Sequence, residues 1–251
     1  MGKQFTNPSF EETEVPTVDL KDIGFKFNTQ VIGPMNFIGL RNANYGYKFR
    51  MSTIPELIPL VHVSLENKQY NFAKHVIDTI QAFATHPWLM GNTGIHYTSR
   101  GMYVQDNPKI KHEKISMDEK ILKNKLGSYE EKGVVFSDDR TIRFTPYGFK
   151  IKSQTPSDLS RNSGISALVC GQENAEKLAR ISSNEVIQDK ANPYFRAIEK
   201  PVPIPQTRVA VLGSYTLADS IDIFHCGLYV HALYSEESDV GYSFGIKKIR
   251  K

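Results

Sequence analysis

Residues 224–232 read FHCGLYVHA, a stretch in which apolar and polar side chains alternate. Its apolar set is Phe224, Cys226, Leu228, Val230 and Ala232. Its other set is His225, Tyr229 and His231. Because successive side chains of a strand point to opposite faces, this pattern predicts a half-buried strand with one face toward water. On a straight strand the two histidines would lie about 20 Å apart, whereas metal ligands lie ~2 Å from their ion, so we predict an architectural role.

The same alternation predicts further strands along the chain. They cover residues 45–51, 95–98, 102–105, 133–136, 140–145, 165–170, 208–212 and 242–246. The pairs 95–98 with 102–105 and 133–136 with 140–145 are close enough in sequence to form hairpins. Both faces of 208–212 are apolar, which is typical of a central strand. Residues 91–94 have the composition of a turn, and Ser243 is expected to face solvent.

The longest predicted helix covers residues 65–84. Its apolar stripe consists of Leu65, Phe72, Ala73, Val76, Ile77, Ile80, Phe83 and Ala84. Lys74 lies on the opposite side, and Pro87 is expected to end the helix.

Capping signals predict where other helices begin. Thr53 and Glu56 resemble a capping box, but Pro59 is expected to break a helix that begins there. Ser116 and Glu119 predict a second short helix, and residues 171–181 predict a third.

These elements predict a single α+β domain, with a largely antiparallel sheet and two or three helices packed on it. The domain would cover residues 23–251, and the polar segment near 153–164 is an alternative internal boundary. Residues 1–22 are predicted to be a flexible acidic N-terminal arm, and residues 247–251 a basic C-terminal tail. Solvated tails are one interpretation of this charge asymmetry, and head-to-tail assembly of identical subunits is the other.

Length and composition resemble those of ordinary globular proteins. The chain has 251 residues, 40% of them hydrophobic and 23% charged, which is enough to bury a core. No run approaches the ~18 apolar residues of a membrane helix, and no signal-peptide core follows the first residues. We therefore predict a cytoplasmic protein with no membrane partner. Cys170 and Cys226 lie among apolar residues and are expected to be free thiols, with a disulfide between neighbouring strands as the alternative.

No recognised motif indicates a cofactor or a catalytic mechanism. Residues 167–171 and 209–213 are apolar runs that end in glycine, but neither has the three spaced glycines of a dinucleotide site. The seven histidines form no zinc-binding spacing, and no catalytic serine motif is present. We predict no cofactor and no metal, and no catalytic residue can be named. A catalytic site assembled from distant positions would leave no such pattern.

One remaining signal is the interleaving of aromatic and basic residues on predicted strands. Sheet-borne aromatic rings stack on nucleic-acid bases, while arginine and lysine hold the phosphates. The candidate nucleic-acid contacts are Lys48, Arg50, Arg100, Tyr103, Arg143, Lys150 and Lys152. The alternative is that the aromatic residues fill the core and the basic residues are solvated.

The leading functional hypothesis is a non-catalytic binding or assembly protein that presents strand faces and loops to a macromolecular partner. This macromolecular partner would be a second copy of the chain in a homo-oligomer or single-stranded nucleic acid. A nucleic-acid-binding protein is the second hypothesis, and an enzyme with a site assembled from distant residues is the third.

Overall fold

A computed structural model describes residues 17–21, 24–81, 88–187, 191–218, 224–235, 237 and 239–249. The predicted α+β class is confirmed, since helices pack on a large and mostly antiparallel sheet. No helix of the described ranges is both long enough and apolar enough to cross a membrane.

Seven helices lie within the described ranges. They are α1 (Phe37–Asn42), α2 (Ile54–Glu66), α3 (Asn71–Gln81), α4 (Glu119–Lys125), α5 (Pro156–Ser160), α6 (Ser163–Val169) and α7 (Gln172–Ser182).

The strands fall into a main sheet and a small hairpin. In chain order they are β1 (Thr17–Leu20), β2 (Phe25–Met35), β3 (Arg50–Met51), β4 (Leu89–Tyr97), β5 (Gly101–Asp106), β6 (Lys109–Lys111), β7 (Lys114–Ser116), β8 (Glu130–Glu131), β9 (Val134–Phe136), β10 (Ile142–Pro146), β11 (Lys152–Ser153), β12 (Tyr194–Arg196), β13 (Gln206–Ala218), β14 (Phe224–Tyr234) and β15 (Gly241–Lys248). The main sheet has the order β11-β12-β14-β13-β4-β5-β10-β9-β8, while β15 joins it through β4 and also pairs with β2 and β3. β6 and β7 form the separate hairpin.

β13 is the central strand that the sequence predicts. It pairs antiparallel with β14 on one side and with β4 on the other. Val211 and Leu212 are both buried although they point to opposite faces, because each face of the sheet is covered. Both predicted hairpins are also confirmed, as β4 with β5 and as β9 with β10.

One face of the sheet packs against helices α2, α3, α6 and α7, and its buried residues include Leu228, Val230 and Ala232 of β14. On the opposite face, α1 and the β6–β7 hairpin cover a second core that includes Met90, Val211 and Ile115. The predicted alternation of β14 is confirmed over 228–232, and the side chains of residues 224–226 lie outside the description.

The interpretation of residues 91–94 as a turn is wrong. They lie within β4, where the pairing with β13 shifts between Val209 opposite Gly94 and Val211 opposite Met90. The start of α2 is bound to this irregular part of β4, since Thr93 Oγ1 accepts the Ile54 N–H at 3.0 Å. A Cβ atom on Gly91 would lie 2.5 Å from the Ile54 nitrogen, so this approach requires glycine.

Pro59 does not break α2, contrary to the prediction. A proline at this position leaves the carbonyl of the residue four positions earlier without its usual donor. The Asn174 side chain donates to that carbonyl, Pro55 O, at 3.4 Å. The capping box of Thr53 and Glu56 is present as predicted.

The single helix predicted over 65–84 is two helices, because Asn67 ends α2 and donates its side-chain N–H to Val63 O at 2.8 Å. Ala73, Val76, Ile77 and Ile80 of the predicted stripe are buried in α3. Phe83, Ala84 and Pro87 lie outside the described residues. α4 begins after Asp118, which accepts the Ile121 N–H, and not at the predicted Ser116 cap.

Two predicted strands have a different structure. Residues 165–169 belong to α6, where they are buried, and Cys170 is the C-cap of this helix. A short apolar run does not distinguish a buried helix from a buried strand. The polar segment 153–164 contains α5, whose Thr155 cap accepts the Asp158 N–H. Of residues 45–51 only β3 is a strand, because Gly46 and Lys48 have positive φ and form a turn.

The two ends of the described chain are partly built into the sheet. β1 pairs with β2, so residues 17–20 of the predicted arm form a strand. Lys247 and Lys248 of the predicted tail belong to β15, and Ser243 is buried and does not face solvent. Residues 1–16, 250 and 251 lie outside the description. Cys170 is a free thiol whose pKa is raised by burial.

Candidate binding surface

Five aromatic side chains meet on the face of β14 that points away from helices α2, α3, α6 and α7. We call this set the aromatic surface, and it consists of Trp88, Tyr194, Tyr229, His231 and Tyr234. Tyr229 and His231 alternate with the buried Leu228, Val230 and Ala232, so the strand itself directs them to this face.

Neighbouring parts of the sheet place Tyr194 and Trp88 in the aromatic surface. β12 runs parallel to β14 with Tyr194 opposite Tyr229 and Arg196 opposite His231. Trp88 immediately precedes β4, and its carbonyl accepts the Tyr242 N–H at 2.7 Å. Opposite Tyr229 on β13 lies Gly213, which contributes no side chain to this face.

The rings contact one another edge to face or at a tilt. The Trp88 centroid lies 5.3 Å from that of Tyr229, 6.1 Å from that of His231 and 6.0 Å from that of Tyr234. The Tyr194 centroid lies 5.4 Å from that of Tyr229 at 67°. These distances are in the range of favourable aromatic pairs, so the rings support one another. Since no ring-sized space separates them, they form a platform and not a cage around a cation.

Tyr234 is nearly buried, at 8% exposure, whereas Trp88, Tyr194, Tyr229 and His231 are each partly exposed. The Tyr234 hydroxyl donates to Val240 O at 2.8 Å, and the Ser235 N–H donates to Asp239 at 2.6 Å. These bonds link Tyr234 and Ser235, at the end of β14, to Asp239 and Val240, which lie just before β15.

Arg196 borders the aromatic surface. Arg196 is exposed, and its charge acts on both Tyr229 and His231. Burial, with a smaller contribution from Arg196, lowers the pKa of His231 to about 4, while Asp239 acts in the opposite direction. His231 is therefore neutral at pH 7.

The geometry of His231 does not fit general acid–base catalysis. Its Nδ1 atom is buried and has no hydrogen-bond partner within the described part of the chain, whereas a catalytic histidine is usually oriented by a partner on its second nitrogen. Within the same part of the chain, no three His, Cys, Asp or Glu side chains come together to hold a metal ion.

Arg143, a candidate nucleic-acid contact, is fully buried. Its Nε donates to Ala167 O at 2.6 Å, and its guanidinium pairs with Asp106 and donates to Arg140 O at 2.9 Å. α6 covers the side of β10 that alternation alone assigned to solvent. Arg143 therefore cannot share a solvent face with Lys150 and Lys152.

The other candidate contacts are dispersed. Tyr103 is buried at 2% exposure, and Arg100 pairs with Glu119 at 2.6 Å. Lys150 pairs with Asp158 at 3.0 Å, and Lys152 is exposed on the edge strand β11.

Arg50 lies opposite Ile246 of β15 and pairs with Glu56 at 2.6 Å. Lys48 lies over the Tyr47 ring, which is exposed. Among the seven candidate contacts, Lys48 alone is a lysine over an exposed aromatic ring.

A narrow apolar cavity lies between the helices and the sheet. Its lining includes Val61, Ile80, Leu89, Leu178, Leu212 and Leu228. A cavity without polar groups cannot orient a substrate, so we interpret it as a packing gap in the core.

The sequence patterns do not mark Trp88, Tyr194 or Tyr234 as functional. They do place Tyr229 and His231 correctly, on the face opposite the apolar set. Tyr194 joins these two residues only through the pairing of a three-residue strand, β12, with a strand more than 30 residues away, which no local sequence pattern indicates. The one available clue was that Trp88 is the single tryptophan of the chain.

Comparisons with known proteins give a distant structural likeness. No family model and no curated protein matches the chain. It is similar to a solved structure described as "Accommodation of massive sequence variation in Nanoarchaeota by the C-type lectin fold". The similarity covers 87% of this chain and 97% of that chain, with 12% sequence identity and a TM-score of 0.49. A likeness of this degree indicates neither a ligand nor a function for this chain.

Proposed function

We propose that this chain is a non-catalytic binding protein that docks a protein partner on the aromatic surface. The single observation that carries the proposal is the cluster of partly exposed rings on β14 and its neighbours, bordered by Arg196. Tryptophan, tyrosine and arginine are the residues that most often dominate the energy of protein–protein interfaces.

On binding, the rings would gain buried surface area and lose little conformational entropy. A partner would cover the exposed parts of Trp88, Tyr194 and Tyr229, and large aromatic side chains bury ~150–250 Å² each when fully covered. Mutual contact already restricts the rings, and the sheet holds their backbone, so little conformational entropy would be lost. Partly exposed rings that contact one another on a sheet thus favour contact with a preformed partner surface.

The charge at the border suggests one property of the partner. Arg196 is exposed beside the rings, and Asp239 already has the Ser235 N–H as a partner. A carboxylate of the partner would therefore find an available cation at this edge. Because that ion pair would lie at the rim, it would affect the association rate more than the affinity.

The test uses the full chain as bait in an extract of the organism that encodes it, followed by purification of the captured partner and calorimetry. Tyr229→Ala and Tyr194→Ala should each weaken binding by at least about 30-fold, the loss expected for an interface hot spot of ~2 kcal/mol. Tyr129→Ala is the matched control, since Tyr129 is an exposed tyrosine (52%) beside a different cation, Arg140.

Sedimentation of the free chain separates self-association from binding to a different protein. Loss of a dimer in Tyr229→Ala would identify the partner as a second copy. Affinity for the partner that is unchanged in Tyr194→Ala and Tyr229→Ala, or that falls equally in Tyr129→Ala, would refute the proposal.

A further inference from the structure

A second exposed aromatic side chain lies at the turn between α1 and β3. Tyr47 is 80% exposed, the highest value among the large hydrophobic side chains of the described residues. Gly46 (φ +98°) and Lys48 (φ +64°) flank it, and the Phe49 N–H donates to Gly46 O at 3.1 Å. A non-glycine residue with positive φ is uncommon. The turn thus holds Tyr47 in solvent by a specific backbone conformation.

Two lysines lie over this ring and its neighbour Phe49. Lys48 Nζ lies 4.7 Å from the Tyr47 ring centroid, and Lys247 Nζ lies 4.4 Å from that of Phe49. Neither lysine takes part in the ion pairs found among the described residues, unlike Lys150 and Arg50. Their charge is therefore available to an external anion.

We infer that the patch formed by Tyr47, Lys48, Phe49 and Lys247 binds single-stranded nucleic acid. Bases stack on exposed aromatic rings, and lysine ammonium groups hold the backbone phosphates. Two residues along a chain span at most ~7 Å, so the rings of Tyr47 and Phe49 lie within one or two nucleotides of each other. The ammonium groups of Lys48 and Lys247 lie over these rings. A base on the free face of Tyr47 would have the Lys48 ammonium beside its own phosphate.

This patch is separate from the aromatic surface. β15 contacts Trp88 through Tyr242 at one end, and Lys247 pairs with Lys26 at the other. Five residues of strand place the two ends about 17 Å apart. Nucleic-acid binding here therefore neither requires nor excludes a protein partner on the aromatic surface.

The test is a fluorescence-anisotropy titration of a labelled 12-nucleotide oligo(dT) with the full chain at several salt concentrations. Tyr47→Ala should weaken binding by about 5- to 100-fold, as expected for the loss of one stacked base. The double variant Lys48→Gln/Lys247→Gln should lower the slope of log affinity against log salt by about 1.4, because each phosphate contact contributes ~0.7. All three side chains are at least partly exposed, and circular dichroism checks that each variant folds.

Matched controls use the same residue types on other surfaces. Tyr129→Ala, and Lys123→Gln/Lys125→Gln on the exposed side of α4, should leave both affinity and slope unchanged. Binding that Tyr47→Ala does not weaken, or that both lysine pairs weaken equally, would mean general attraction of a polyanion and would overturn the inference. So would the absence of binding at low salt, or binding only to phosphatidylserine-containing vesicles offered in a parallel titration.

Discussion

Replacement of Arg143 by methionine should destabilise the protein severely. The Arg143 side chain is fully buried. Its guanidinium links β10 to β5 and α6 through Asp106 and the carbonyls of Arg140 and Ala167. Methionine fills a similar volume but leaves Asp106, whose side chain is 10% exposed, without its counter-ion. Removal of one partner of a buried ion pair typically costs ~3–5 kcal/mol. That is a large fraction of the ~5–15 kcal/mol that stabilises a typical domain.

Urea unfolding followed by Trp88 fluorescence would measure this loss. The double variant Arg143→Met/Asp106→Asn removes both charges, and it should be more stable than the sum of the single losses predicts by ~1–3 kcal/mol. Arg161→Met is the control, because Arg161 is exposed and its loss should change stability by less than ~0.5 kcal/mol. A loss below ~1 kcal/mol for Arg143→Met, or strict additivity in the double variant, would refute this account of β10.

Three further predictions concern α3, the start of α2 and pH. Ile80→Ala should lower the free energy of unfolding by ~2–5 kcal/mol because Ile80 is buried in the core, while Lys74→Ala on the exposed side should lower it little. Equal losses for the two variants in urea unfolding would contradict the apolar stripe of α3. Glu56→Ala should lower the free energy of unfolding by ~0.5–2 kcal/mol, and Glu56→Gln should lower it less, since glutamine still accepts the Thr53 N–H. Identical thermal unfolding curves for the two variants would argue against the capping box. The folded-state pKa of His231, about 4, lies below its ordinary 6.5, so the unfolded chain takes up the proton first as pH falls. The free energy of unfolding should therefore drop between pH ~6.5 and ~4 by about 1–2 kcal/mol more in the wild type than in His231→Gln. This magnitude is reduced because the ring is only partly buried. If the free energy of unfolding of the two proteins depends on pH in the same way, His231 is not responsible.

The parts of the fold that the sequence predicts well depend on local periodicity. β13 and β14 were found because burial on one or both faces imposes a pattern of period two. The two hairpins were found because a short connection makes antiparallel neighbours of consecutive strands. In α3 the stripe of Val76, Ile77 and Ile80 correctly identified the buried face.

The parts that the sequence did not predict depend on distant neighbours. Pro59 is tolerated in α2 because Asn174, far along the chain, binds the carbonyl that the proline leaves without a donor. Arg143 is buried because α6 covers a face that alternation alone assigns to solvent. The aromatic surface depends on the parallel pairing of β12 with β14, which no local pattern specifies. Of the interleaved aromatic and basic residues, only those near Tyr47 form a surface that combines both.

The most direct test of the aromatic surface as a docking site uses the single tryptophan of the chain. Protein labelled with 5-fluorotryptophan should give one ¹⁹F resonance, from Trp88, whether or not the unlabelled partner contains tryptophan. We predict that this resonance shifts or broadens as the purified partner is added, and that Tyr229→Ala weakens this response along with the affinity. A Trp88 resonance that stays unchanged when the partner is shown by calorimetry to be fully bound would place the interface elsewhere and contradict the proposed function.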